Sequence, residues 1–195
     1  MNYKHLKIAL AALVLSAGLP VRGALIHRYS FTSDANDSVG TANGTLMGSA
    51  TITGNAVVLD GVDSYVDLPN DLVSNLTAIT IETWVTDNGS AGWARVYDFG
   101  TSSGGEDQQG GGLTYLFLSL PDGGGSLRNA YNAGAGEQLV VAARPPPGQP
   151  AHIVWTSDGA SATGGLYVDG VRMEINTNMT ITPVTIGHTF NLKNA

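Results

Sequence analysis

The run AVVLDGVDSYVDLP, Ala56 to Pro69, followed by ITIETWV, Ile79 to Val85, carries most of the fold information in this chain. Short apolar-rich segments alternate there with Asp-Gly and Pro-Asn turn signals, the pattern of strand, turn, strand. Outward from this run the same pattern continues. Strands are expected at Leu25–Phe31, Ala56–Leu59, Ser64–Leu68, Ile79–Val85, Ala94–Phe99, Leu113–Leu120, Leu127–Tyr131, Gln138–Ala143, Ala151–Ser157, Gly165–Val168, Val171–Ile175 and Thr185–Gly187. A spacing of about ten residues with turns between predicts an all-β, two-sheet antiparallel sandwich. Asp169-Gly170, between LYV and VRM, is the clearest two-residue hairpin, because a type I′ turn needs positive φ at both central residues.

Composition agrees. Only 13% of the 195 residues are charged, 43% are hydrophobic and 26 are Gly, which describes a core-forming chain rich in turns. That length fits one all-β domain. The net charge of −7, without a basic stripe, excludes a nucleic-acid binder. The absence of Cys excludes disulfides and thiolate metal sites.

The first residues read as an export signal. Lys4, His5 and Lys7 precede the apolar stretch Ile8–Leu19, which is too short to span a bilayer, and Val21 and Gly23 supply small-residue cleavage positions. Cleavage after Gly23 removes Lys4, Lys7 and Arg22 from the nine basic residues and leaves six against sixteen acidic ones, a net of −10. The expected organisation is a signal peptide over 1–23 and one domain over 24–195, secreted or held at the cell surface, with no membrane span.

Three Gly-rich loops interrupt the strands, Gly100–Gly112, Asp122–Ser126 and Ala133–Gly136, and Pro145-Pro146-Pro147 forms a stiff connector. Few residues carry evident chemistry. Glu82 sits mid-strand, and retaining glycoside hydrolysis needs a second carboxyl group about 5 Å away. Its same-face neighbours are Ala78, Thr80, Trp84 and Thr86, so the partner is missing. His27, His152 and His188 share no metal-ligand spacing. There is no G-x-S-x-G elbow and no phosphate-loop ending. Trp84 and Trp155, on expected strands, are read as core anchors. Trp93 follows Gly89-Ser90-Ala91-Gly92, at a loop edge where an aromatic ring either stacks on a sugar or folds back over the core; Tyr131, beside Asn132, is the second candidate for sugar stacking.

In order, LIHRYSF, Asp37-Ser38, Asn43-Gly44-Thr45, VVLDGVDSYVDLP, ITIETWV, HIVWTSDG and GLYVDGV resemble the laminin G-like jelly rolls of the concanavalin A-like lectin/glucanase superfamily, bacterial secreted type. The resemblance implies a two-sheet antiparallel jelly-roll sandwich. It also implies calcium as the candidate cofactor, at loop carboxylates, for which Asp34, Asp37, Asp60 and Asp63 are the candidates. Family members continue into a closing strand that lies beside the first one. No such run follows Leu192, so the domain is expected to lack that strand. The function expected is a secreted, non-catalytic recognition module whose partner is a glycan or an extracellular protein. The alternatives are an adhesion segment without a pocket and a degenerate glycoside hydrolase.

Overall fold

In the computed structural model residues 23–106, 108 and 110–187 are described; the expected signal peptide before Gly23, His188 and the chain around Leu192 lie outside them. Four short strands come first: β1 (Thr45–Met47), β2 (Thr51–Thr53), β3 (Ala56–Val58) and β4 (Tyr65–Asp67). Eight longer ones follow: β5 (Ala78–Thr86), β6 (Arg95–Ser102), β7 (Gly112–Ser119), β8 (Leu127–Asn132), β9 (Glu137–Ala142), β10 (Pro150–Asp158), β11 (Thr163–Val168) and β12 (Val171–Asn176). The longer strands make two four-stranded antiparallel sheets, ordered β12-β11-β10-β5 and β6-β7-β8-β9, and the short ones make two ribbons, β1-β4 and β2-β3. This is the expected all-β sandwich.

Strand alternation builds the core. On β10, Ala151, Ile153, Trp155 and Ser157 are buried at every second position. Across the gap, Leu116 and Leu118 of β7, Leu127 and Tyr131 of β8 and Val140 of β9 face them. Tyr131 and Trp155 meet with ring centroids 6.2 Å apart, and the Tyr131 hydroxyl bonds Ser157 Oγ at 2.9 Å, tying one sheet to the other. At the β9–β12 side, Asn176 Nδ2 donates to the Leu139 carbonyl at 3.1 Å. The expected Asp169-Gly170 turn is present, with φ of 50° and 79°, and joins Val168 to its partner Val171.

Two expected strands take another form. Leu25–Phe31 makes a single bridge, Tyr29 to Asp37. Its backbone is held by a side chain instead, as Arg28 N–H donates to Asp37 Oδ1 at 3.0 Å; a carboxylate competes here with a strand ladder for backbone donors. Thr185–Gly187 is replaced by a 3₁₀ turn, Pro183–Thr185. Pro presets the helical φ, and Thr185 Oγ1 accepts the Thr182 amide at 3.2 Å. β1 and β2, three residues each, are too short to show a strand period in the sequence. β2 turns into β3 through Gly54 and Asn55, both at φ 60°.

Candidate functional site: a cleft lined by aromatic and arginine side chains

The outward parity of β6–β9 carries Asp98, Tyr115, Phe117, Arg128, Asn132 and Glu137. This face is not bare, since Phe117 and Ala130 are buried on it. Trp93, at the entry to β6, lies over it. Its amide donates to the Pro121 carbonyl at 2.7 Å, and its φ of 71° is unusual for a residue with a side chain. The indole meets Phe117 edge-on at 6.5 Å. The Arg95 guanidinium sits 3.8 Å from the Phe117 ring centre and 5.5 Å from that of Trp93, and the Arg128 guanidinium lies 5.7 Å from that of Trp93.

Both cations are matched. Arg95 Nε donates to Asp98 Oδ2 at 2.9 Å, and Arg128 pairs with Glu137. Glu137 also accepts the Tyr115 hydroxyl at 2.6 Å. Burial, reinforced by that bond to Glu137, pushes the Tyr115 hydroxyl above its ordinary pKa, so it stays a neutral donor. Past the end of β6, Ser103 N–H donates to the Gly111 carbonyl at 2.9 Å, which continues the β6–β7 pairing and brings Gly110 to Gly112 to the rim of this face. A cleft of about 410 Å³ results, walled by Trp93, Tyr115 and Phe117, by the Arg95–Asp98 pair and Glu137, and by Gly110 to Gly112.

Of the residues singled out in sequence, Trp93 belongs to this cleft and is 47% exposed. Tyr131 does not: it is fully buried in the core, because residues 127, 129 and 131 share the inward parity of β8, and it cannot stack on a sugar. Trp84 is not the core anchor expected. It points outward from β5, 73% exposed, while Trp155 is the core anchor expected. Glu82 faces outward on the same strand, 3.6 Å from His152 Nε2.

The four loop aspartates are placed separately. Asp34 Oδ1 accepts the Asn36 amide at 3.0 Å in an Asx turn. Asp37 binds His27 Nδ1 at 2.7 Å and the amides of Arg28 and Val39. Burial raises its pKa, but the Gly40 amide, the His27 ring and the amides of Arg28 and Val39 together outweigh this and hold the carboxyl well below the usual range. Asp60 Oδ1 accepts the Ser64 hydroxyl and the amides of Val62, Asp63 and Ser64, and these bonds likewise hold its carboxyl low. Asp63 Oδ1 takes the Ser49 amide at 3.0 Å. Among the described residues no three His, Asp or Glu side chains converge as a metal site.

A family profile described as the concanavalin A-like lectin/glucanases superfamily, of laminin G type, matches residues 60–194. The chain belongs to that family. Among solved structures, this laminin G-like domain is similar to domain 4 of AbnA, an extracellular arabinanase from Geobacillus stearothermophilus solved in complex with arabinotriose. The two share 21% identity and a TM-score of 0.59 over 87% of this chain and 79% of that one. It also matches the LG4-5 domains of the mouse laminin alpha1 chain, at 12% identity and a TM-score of 0.39, over 94% of this chain and 38% of that one. No curated protein matches it in sequence. Among the described residues no helix is long and apolar enough to cross a membrane.

Proposed function

We propose that this domain is an exported, non-catalytic carbohydrate-binding module, and that the cleft over β6–β9 is its sugar site. The observation that carries the reading is the exposed Trp93 ring set with the Arg95–Asp98 pair and Glu137 in one open cleft, where Glu137 is in turn paired with Arg128. An aromatic face takes the C–H face of a sugar ring, while paired Arg and carboxylate groups offer donors and acceptors to neighbouring hydroxyls. The charges cancel within each pair, which suits a neutral glycan. The cleft volume falls within the range of about 300–1,000 Å³ typical of small-ligand pockets.

Catalysis is disfavoured by the spacing of the carboxylates. Asp98 is on β6 and Glu137 on β9, at opposite edges of the sheet. Three inter-strand steps separate those strands by about 14 Å, against the roughly 5–9.5 Å between the carboxyl groups of glycosidases. Calcium has no required part in this site, and any calcium held by Asp34, Asp37, Asp60 or Asp63 is bound weakly.

Isothermal titration with arabinotriose, which the arabinanase domain binds, and with xylo- and cello-oligosaccharides tests the reading. Binding to at least one is expected, lost in Trp93→Ala and kept in Trp84→Ala. Binding to none, or binding that survives Trp93→Ala, overturns it.

A further inference from the structure

The Asp122–Ser126 loop, Asp-Gly-Gly-Gly-Ser, has no part in the core and no evident ligand-binding group of its own. We infer that Gly123 in this loop is a positioning residue, the seat that fixes the Trp93 indole over the cleft; its bearing on binding rests on the sugar reading above, its bearing on the ring does not. A methyl group at position 123 would come 2.6 Å from Trp93 Nε1, 2.9 Å from Cε2 and 3.0 Å from Cζ2. The ring therefore lies against bare backbone, and only glycine leaves room for it. The flanking contacts hold both sides of the seat. Trp93 N–H bonds the Pro121 carbonyl at 2.7 Å, and Leu120 N–H bonds the Ala94 carbonyl at 3.0 Å, so the segments before β6 and after β7 are laced together. Asp122 Oδ1 accepts the amides of Gly124 at 2.9 Å and Ser126 at 2.8 Å, which shapes the loop that presents Gly123.

The three glycines are not equivalent. Gly125 has φ 88°, the left-handed region that the turn requires, and open space where a side chain would go. Gly123 and Gly124 lie outside that region, and a methyl at 124 would meet only Asp122 Oδ1 at 3.5 Å, an ordinary contact. Gly123→Ala is thus tolerated by the backbone and refused by the indole, and Gly124→Ala is its control.

The experiment follows the Trp93 indole N–H resonance and the melting temperature in Gly123→Ala, Gly124→Ala, Trp93→Ala and the Trp93→Ala/Gly123→Ala double variant, with arabinotriose affinity measured on each. Gly123→Ala is expected to shift the Trp93 resonance and weaken binding roughly 2- to 10-fold, the size of one aromatic contact. Gly124→Ala is expected to do neither, and Gly123→Ala is expected to be neutral to melting once Trp93 is Ala, because the clash is gone. An unmoved resonance, or an equal loss of stability with and without the indole, overturns the seat; a displaced ring with unchanged affinity overturns its bearing on binding. If the wild-type domain binds no arabinotriose, the reading of that ligand fails by itself, and the resonance and melting comparisons still decide the seat.

Discussion

The indole of Trp84 lies flat on the imidazole of His152, with centroids 4.3 Å apart and an interplanar angle of 14°. The two residues are direct cross-strand partners on β5 and β10, and the stack stands on the outer face of the sheet. Trp84→Ser therefore removes one exposed aromatic pair, worth about 0.5–1.5 kcal/mol. Trp155→Ala empties a fully buried site and is expected to cost about 3–5 kcal/mol. Urea unfolding of both variants checks the contrast. Equal losses would show that burial does not separate them.

The Tyr131 hydroxyl serves stability rather than recognition. Burial pushes its pKa up to about 12, with the hydrogen bond to Ser157 working the other way. A group whose folded pKa is raised gives stability that is complete below its unfolded value, here 10.0, and lost as pH climbs through the folded one. Tyr131→Phe is expected to shed less stability than wild type between pH 10.0 and about 12, and to bind sugars unchanged. Unfolding midpoints across that window, with a binding titration, test both statements. An altered affinity would place Tyr131 in the site after all.

Much of the sandwich was legible because period-2 alternation and Asp-Gly turns report local geometry. The failures have local reasons too. In ITIETWV, Glu82 must face water, so Trp84 two residues on shares its outward face; parity outranks ring size, and that signal was in the sequence. The same parity puts Tyr131 inside with Leu127. The first expected strand failed because Asp37 captures the Arg28 amide from nine residues away, a side-chain effect that strand periodicity does not register. The cleft was legible only at Trp93. Its other walls come from β6, β7 and β9, brought together by pairing between segments distant in sequence.

Acid should expose the Asp37 clip. Its carboxyl titrates in the folded chain below its ordinary 3.8. The stability it gives is present above that value and is lost as pH falls toward the folded one. Asp37→Asn is expected to be less stable than wild type at pH 7, with the gap narrower but not closed at about pH 2.5. Denaturant midpoints at the two pH values measure it, and a deficit of the same size at both would contradict the clip.

Calcium is expected to matter little. A site with a Kd near 1 mM, at 1 mM ion, adds about 0.4 kcal/mol, or a rise of roughly 1–2 °C in a domain of this size. Thermal melts in EDTA and in millimolar Ca²⁺ are expected to agree within that margin. A rise of many degrees, abolished in Asp60→Asn, would establish a tight site at the loops.

The central claim is that sugar is held on the outer face of β6–β9. Amide and indole resonances followed during titration with arabinotriose and with xylo- and cello-oligosaccharides test it most directly. The account predicts shifts confined to Trp93, the outward residues of β6–β9 and the Gly110–Gly112 segment, with Trp84 silent. Shifts centred on Trp84, or on the loops of Asp37 and Asp60, would contradict it, as would a spectrum that no sugar moves.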